Sequence, residues 1–137
     1  MTVISVDLGH ARTGLAISDN SGFLASSLCV IEEHSDQRLV QKIATKVKEN
    51  QAELVVVGLP KNMDGSEGES AIRARKLAAQ ISELSGVPYV MQDERGTTIT
   101  AHAYLSEKEV YGKKRKKQVD AVAASIILQD YLDSRKG

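Results

Sequence analysis

Tryptophan is absent from this 137-residue chain, phenylalanine occurs once, at Phe23, and tyrosine four times. The core must therefore be built from Val, Ile, Leu and Ala. A base-stacking platform for single strands, which needs exposed aromatics at intervals, is disfavoured. Excess charge is missing as well. Eighteen basic and 18 acidic residues cancel, so global electrostatics announce no polyanion binder, and phosphate affinity has to come from a local patch. With a single cysteine, Cys29, no intramolecular disulfide can form. Set in the apolar run Leu28-Cys29-Val30-Ile31, it reads as a buried, inert thiol rather than a nucleophile. No window approaches the roughly 18 apolar residues of a membrane span. The opening MTVISVDLG has no basic segment followed by an apolar run, so no secretory signal is expected. The expectation is a cytoplasmic protein without a membrane partner.

What is present is ordinary in bulk and informative in pattern. Hydrophobic residues make up 42% and charged residues 26%, which suits one globular domain over 1–137, long enough to bury a full core. Val3 to Val6, Thr13 to Ser18 and Phe23 to Ile31 are three strand candidates, separated by turn-rich connections such as Asp19-Asn20-Ser21-Gly22. They read as an antiparallel meander. The period then changes. Leu39, Val40, Ile43, Ala44 and Val47 fall on one helical face over about Ser35 to Asn50, with Ser35 or Asp36 as N-cap.

Leu54-Val55-Val56-Val57-Gly58 is apolar without alternation, as a strand covered on both faces should be. After the polar loop from Pro60 to Gly68 comes a second helix, about Glu69 to Ser85, on which Ile72, Leu77, Ala78, Ile81 and Leu84 are periodic. Gly86 suits its C′ position. Tyr89 to Met91 is a short strand ending at Asp93-Glu94-Arg95, and Thr97 or Thr98 can cap a helix through Leu105. A basic linker, Gly112-Lys113-Lys114-Arg115-Lys116-Lys117, leads to a last helix of about Gln118 to Ser134. The order β-β-β-α-β-α-β-α-α implies an α/β fold: a mixed five-stranded sheet, meander plus βαβ units, with helices on both faces.

Three acids stand out by position. Asp7 ends the first strand, Glu94 follows the fifth, and Asp120 lies near the start of the last helix. Ligands of open α/β sheets gather at the carboxyl ends of strands, so Asp7 and Glu94 can converge despite their separation in sequence. Asp120 sits beside the apolar stripe Val119, Val122, Ala123, Ile126 and Ile127. The small Ala123 and Ala124 at i+3 and i+4 let that face approach the sheet. Clustered carboxylates repel one another unless a cation neutralises them. Hard oxygen donors in a partly hydrated site suit Mg²⁺ or Mn²⁺, and two such ions about 3.5–4 Å apart serve phosphodiester hydrolysis. Acids at strand ends and helix starts are often caps or solvated charges, and taken singly Asp7 favours the functional reading more than Asp120 does.

Gly9 and Gly14 flank Arg12, and glycine there permits a tight turn and close backbone approach to a phosphate; a plain hairpin turn explains them too. His10 reads as an exposed bystander. The run Lys113 to Lys117 adjoins the proposed site in a neutral protein, which favours tracking of a nucleic-acid backbone over a merely solvated face.

Taken together, Asp7-x-Gly9-x-x-Arg12-x-Gly14-x-Ala16-x-Ser18-Asp19, Val57-Gly58-Leu59-Pro60-Lys61-Asn62-Met63-Asp64-Gly65-Ser66, Asp93-Glu94-Arg95-x-Thr97-Thr98 and Asp120-x-x-Ala123-Ala124 resemble the YqgF/RuvX family. Its members are described as Holliday-junction resolvases and as nucleases maturing the 5′ end of pre-16S ribosomal RNA. The resemblance spans about residues 2–134. It implies a ribonuclease H-like fold and a nuclease site in which Asp7, Glu94 and Asp120 match the acidic, metal-holding positions. Arg12, Lys61, Asn62, Arg95, Thr97 and Thr98 match positions that hold the substrate or the loops around it. Gly9 and Lys113, Lys114, Arg115 and Lys116 join them as candidate backbone contacts on the reading of the residues alone, not on the resemblance. The family commonly has leucine where Gly96 stands here, which loosens the loop after Glu94, and Asp93 is the alternative metal-facing acid. The expected partner is structured RNA, with the pre-ribosomal small subunit behind it, or else junction DNA. Either a monomer or a homodimer is compatible.

Two other classes compete. The Asp-x-Gly start is shared with the phosphate loop of the actin and sugar-kinase superfamily, but those proteins close two such domains around a nucleotide, and this chain has room for one. A non-catalytic nucleic-acid-binding factor of the same fold would be expected to have lost acids that are all present here.

Overall fold

The computed structural model describes residues 1–62 and 64–93, and the helical backbone of 112–136 with side chains over 122–135. Five strands, β1 (Val3–Asp7), β2 (Arg12–Ser18), β3 (Ala25–Glu32), β4 (Leu54–Leu59) and β5 (Tyr89–Asp93), form one sheet in the order β3-β2-β1-β4-β5. β3, β2 and β1 pair antiparallel, whereas β1, β4 and β5 run parallel. Three described helices are α1 (Asp36–Glu49), α2 (Glu69–Ser85) and α3 (Gly112–Lys136). The expected meander, βαβ units and mixed sheet are all present. The expected helix through Leu105 lies outside the described residues.

Strand alternation divides the core. Successive side chains of a strand point to opposite faces, so Ile4, Val6, Val55 and Val57 meet Leu39, Ile43, Leu77 and Ile81 of α1 and α2 on one side. Val3, Leu54 and Val56 meet Ala124, Ile127, Leu128 and Leu132 of α3 on the other. β4 is buried along its whole length, which is why its sequence does not alternate.

Local chemistry sets the helix ends. Ser35 caps α1 by accepting a hydrogen bond from Arg38 N–H at 3.3 Å. Asp36 in the first turn and Lys46 and Lys48 in the last match the helix dipole. Gly86 ends α2 at φ 75°, its N–H donating to Ser82 O, a left-handed conformation that glycine adopts without the usual steric cost.

Four expectations need correction. Ile72 and Leu84 are 64% and 48% exposed rather than part of the core stripe. The face of α2 that meets the sheet is the smaller set Ala71, Ala74, Leu77, Ala78 and Ile81; Ile72 lies about 100° around the helix from Ala71. The stripe of α3 is likewise turned, with Ala124, Leu128 and Leu132 buried while Val122 and Ile126 are half-buried. Finally, the basic run is no linker. The helix already begins at Gly112, consistent with the high helix propensity of Lys and Arg. Cys29 is half-buried rather than fully enclosed, and desolvation raises its pKa, which keeps the thiol protonated and inert.

α3 runs antiparallel to β1. Ser5, buried on β1, donates its Oγ hydrogen to Ala124 O at 2.7 Å. Further along, Gln129 accepts from Ala25 N–H at 2.9 Å and donates to Phe23 O at 2.9 Å. Leu132 and Arg135 then line a hollow with Met1. With Ala124 fully buried, Ala124→Leu is expected to overpack this contact and cost about 1–3 kcal/mol. Urea denaturation would read this as a lower midpoint with an unchanged slope.

The turn between β2 and β3 is organised by Asp19, whose carboxylate accepts from Ser21 Oγ at 2.6 Å, Phe23 N–H at 2.8 Å and Leu24 N–H at 3.2 Å. Those bonds, that of Ser21 foremost, lower its pKa from 3.8 to about 2. A depressed carboxyl pKa contributes stability that is complete above the unfolded value and lost as pH falls through the folded one. The Phe23 and Leu24 amide shifts should therefore titrate near pH 2, not near pH 4, and lose this step in Asp19→Asn.

Candidate active site

Because β1, β4 and β5 are parallel, their carboxyl ends share one edge of the sheet, at Asp7, Leu59 and Asp93. β1 is the strand where chain order reverses: β2 and β3 lie to one side of it, β4 and β5 to the other. Such a reversal opens a crevice outside the strand ends. Asp7 sits there half-buried, opposite Gly14 of β2, while Asp93 is exposed and opposite Leu59.

The loop from Asp7 to Arg12 is tight. A Cβ on Gly9 would collide with the carbonyl oxygen of Arg12 and lie 3.3 Å from its carbonyl carbon, so only glycine fits. The loop is also tied from outside. Glu33 N–H donates to Ala11 O at 2.9 Å, and Arg73 Nη1 donates to Gly9 O at 2.9 Å. Arg12 is half-buried at the start of β2, in register with Glu32, and His10 is exposed as expected.

The loop after β4 emerges on the same edge. Lys61 is half-buried and bridges to Glu67 through the backbone. Asn62 turns its amide inward: Nδ2 donates to Ser66 Oγ at 2.9 Å and its N–H to Ser66 O at 2.8 Å. Asp64 accepts from Ser66 N–H and Oγ, at 2.9 and 2.6 Å, and Gly65 supplies a positive φ of 89°. These bonds of Asn62 shape the loop. Arg75 grips Glu67 through two 2.8 Å bonds, holding the Glu67 carboxyl below its usual pKa and joining the loop to α2.

Of the three predicted acids, Asp7 alone has a described side chain. Asp120 lies on the backbone of α3, one turn before Ala124 and thus on the stretch running toward the carboxyl end of β1. Lys113, Lys114, Arg115 and Lys116 occupy the opening turns of the same helix. Glu94, Arg95, Thr97 and Thr98 lie outside the described residues. Among the described residues no group of three or more His, Cys, Asp or Glu side chains could hold a metal ion, and no described helix is long and apolar enough to cross a membrane.

Sequence reasoning missed Arg73 and Asp36. Arg73 reaches from α2 to Gly9 O while its Nε and Nη2 bind Asp36, the latter at 2.7 Å. The hydrogen bond to Arg73 pushes the Asp36 carboxyl below its ordinary pKa. No motif or periodicity marks this tie, because its partners come from three different elements.

A mixed sheet in this strand order, sandwiched between helices, is the ribonuclease H-like fold of resolvases. Residues 1–134 match the RuvX family, described as Holliday junction resolvase. A protein of Shouchella clausii named "Putative pre-16S rRNA nuclease" is 43% identical over 135 residues, covering 97% of this chain and 95% of its own. One of the same name from Caldanaerobacter subterraneus subsp. tengcongensis is 42% identical over 137 residues and covers 99% of both chains. The RuvC of Thermus thermophilus, solved in complex with Holliday junction substrate, superposes with a TM-score of 0.65 at 17% identity, over 100% of this chain and 96% of that one. The chain belongs to the RuvX family, and with it to the nucleases, hydrolases of phosphodiester bonds. Resolvase-like nucleases generally use divalent metal ions.

Proposed function

We propose that this chain is a metal-dependent nuclease that processes the 5′ end of pre-16S rRNA, with Asp7, Glu94 and Asp120 as its carboxylate centre. The observation that carries the reading is the position of Asp7, half-buried at the carboxyl end of the strand where chain order reverses. The course of α3 supports it further, since Ser5 and Ala124 fix an antiparallel helix whose residue 120 is one turn nearer that end.

A set of carboxylate oxygens fits a hard divalent cation such as Mg²⁺ or Mn²⁺. Bound there, one or two ions would supply Lewis-acid polarisation of the phosphoryl oxygen and a more acidic water. The chain's own part is to hold the acids at fixed positions, to bring Gly9 backbone and Arg12 close to a phosphate, and to track the flanking backbone with Lys113, Lys114, Arg115 and Lys116. Arg95, Thr97 and Thr98 follow Glu94 and belong to the same substrate-holding loop in this proposal. Lys61 faces the substrate from the β4 loop, and Asn62 acts by shaping that loop.

Relatives named for pre-16S rRNA favour structured RNA and a role at the pre-ribosomal small subunit in the cytoplasm. The likeness to a junction-bound RuvC motivates the second reading, four-way DNA, which would require two cuts and so a symmetric homodimer. An RNA-trimming enzyme needs only one cut and can work as a monomer.

The test is cleavage of a labelled pre-16S 5′ leader and of a four-way DNA junction with Mg²⁺ or Mn²⁺ present and absent. Metal-dependent cutting of the leader alone supports the proposal. Paired cuts in the junction alone would transfer the activity to the second reading, and tight binding without cutting would make the protein a non-catalytic factor.

A further inference from the structure

The loop that follows Asp7 does not hold its shape alone. Its Gly9 carbonyl is held by Arg73, a side chain 64 positions later in the sequence, on α2. The guanidinium is itself fixed. Nε lies 3.2 and 3.3 Å from the two carboxylate oxygens of Asp36, and Nη2 lies 2.7 Å from Oδ1. This leaves Nη1 to reach Gly9 O at 2.9 Å. A planar guanidinium with one edge committed to a carboxylate has little freedom in where its remaining nitrogen points. The Arg73 side chain is 22% exposed and that of Asp36 49%, so the guanidinium is largely covered while its carboxylate partner meets solvent.

The consequence for the loop is directional. In a trans peptide the carbonyl and the following N–H point opposite ways. Fixing Gly9 O toward Arg73 therefore turns the His10 N–H away from it and sets the plane of the peptide two bonds beyond Leu8. The next carbonyl but one, Ala11 O, is held by Glu33 N–H. Between these two ties the chain must turn so sharply that Gly9 has no room for a Cβ.

We infer that Arg73, oriented by Asp36, is a positioning residue of the active site: it fixes the Gly9–His10 peptide and so the backbone on which Asp7 meets the substrate. Its catalytic consequence rests on the nuclease reading above; the tether itself does not.

The tether has a substrate-free readout. Amide hydrogen exchange over residues 7–12 should speed up about tenfold or more in Arg73→Met, the loss expected for a hydrogen bond from a charged donor, while exchange over β4 stays slow. Arg73→Lys keeps the charge but not the fork, and should protect the loop only partly. Asp36→Asn, which leaves Arg73 in place, should loosen it by a smaller amount. In cleavage, kcat should fall about ten- to a hundredfold with little change in KM. The slope of binding against salt should not change. Unaltered exchange over 7–12 in a folded Arg73→Met and in Asp36→Asn overturns the inference. So does a raised KM with a shallower salt slope, which would make Arg73 a phosphate contact instead. If wild type fails to cut any substrate, the nuclease reading falls, while the exchange data still decide the tether.

Discussion

Asp7→Asn is expected to lower metal-dependent cleavage about a thousandfold, equivalent to about 4 kcal/mol of lost transition-state stabilisation. Asparagine keeps the shape of the side chain and one acceptor oxygen, but not the charge that a divalent cation needs. Asp7 ends the central strand, and β1 on both sides of it is held by β2 and β4, so the exchange is local. The unfolding midpoint should move by no more than the ordinary scatter of such variants, about 1 kcal/mol. Binding of the uncut substrate should persist and even tighten, because a negative charge that would face the substrate phosphates is gone. Single-turnover cleavage read beside a filter-binding titration separates the two effects. Undiminished cleavage by Asp7→Asn would remove Asp7 from the centre.

Gly9→Ala comes second, and its effect is felt in stability and in activity together. The added Cβ meets the carbonyl oxygen of Arg12, which is backbone at the head of a paired strand and cannot swing aside as a flexible side chain would. Either the turn opens or the first residue of β2 leaves its register with Glu32. Overpacking of this kind costs about 1–3 kcal/mol. Since the turn follows directly on Asp7, a displacement of about 1 Å is expected to lower kcat about a hundredfold. Thermal unfolding and steady-state kinetics on one preparation check both parts. A variant with lowered stability and full activity would show that the turn serves the fold alone.

The fold was legible where local pattern and burial coincide. Strand β4 is a run of aliphatics because both its faces are covered, and Gly86 stops α2 because a left-handed residue is needed there. Legibility failed where a tertiary choice decides between two faces of one helix. Ile72 and Leu84 belong to a good apolar period on α2, yet the sheet receives the alanine-rich face beside it, which can approach more closely. The basic run 113–117 reads as a linker from its charge, yet the helix already begins at Gly112.

The candidate site divides the same way. The tight turn at Gly9 could be read from its glycine, a local signal. Asn62 matched a position that holds the substrate or the loops around it; its described hydrogen bonds are those within its own loop. Arg73 carries no signal at all in one dimension, since its carboxylate and carbonyl partners lie on α1 and beyond β1.

The anchoring of α3 has a consequence for scale. The helix of 25 residues is about 37 Å long, and among its described side chains Ala123 and Ala124 are the first that are buried. Residues 112–121 take up about 15 Å of that length. Measured along the axis, Lys116 lies about 6 Å and Lys113 about 10 Å from the level of Asp120. At about 3.4 Å per nucleotide of a duplex strand, that interval covers two to three phosphates. In the proposed reading this helix would serve as a ruler, its cations gripping the strand a fixed, short distance from the bond that is cut.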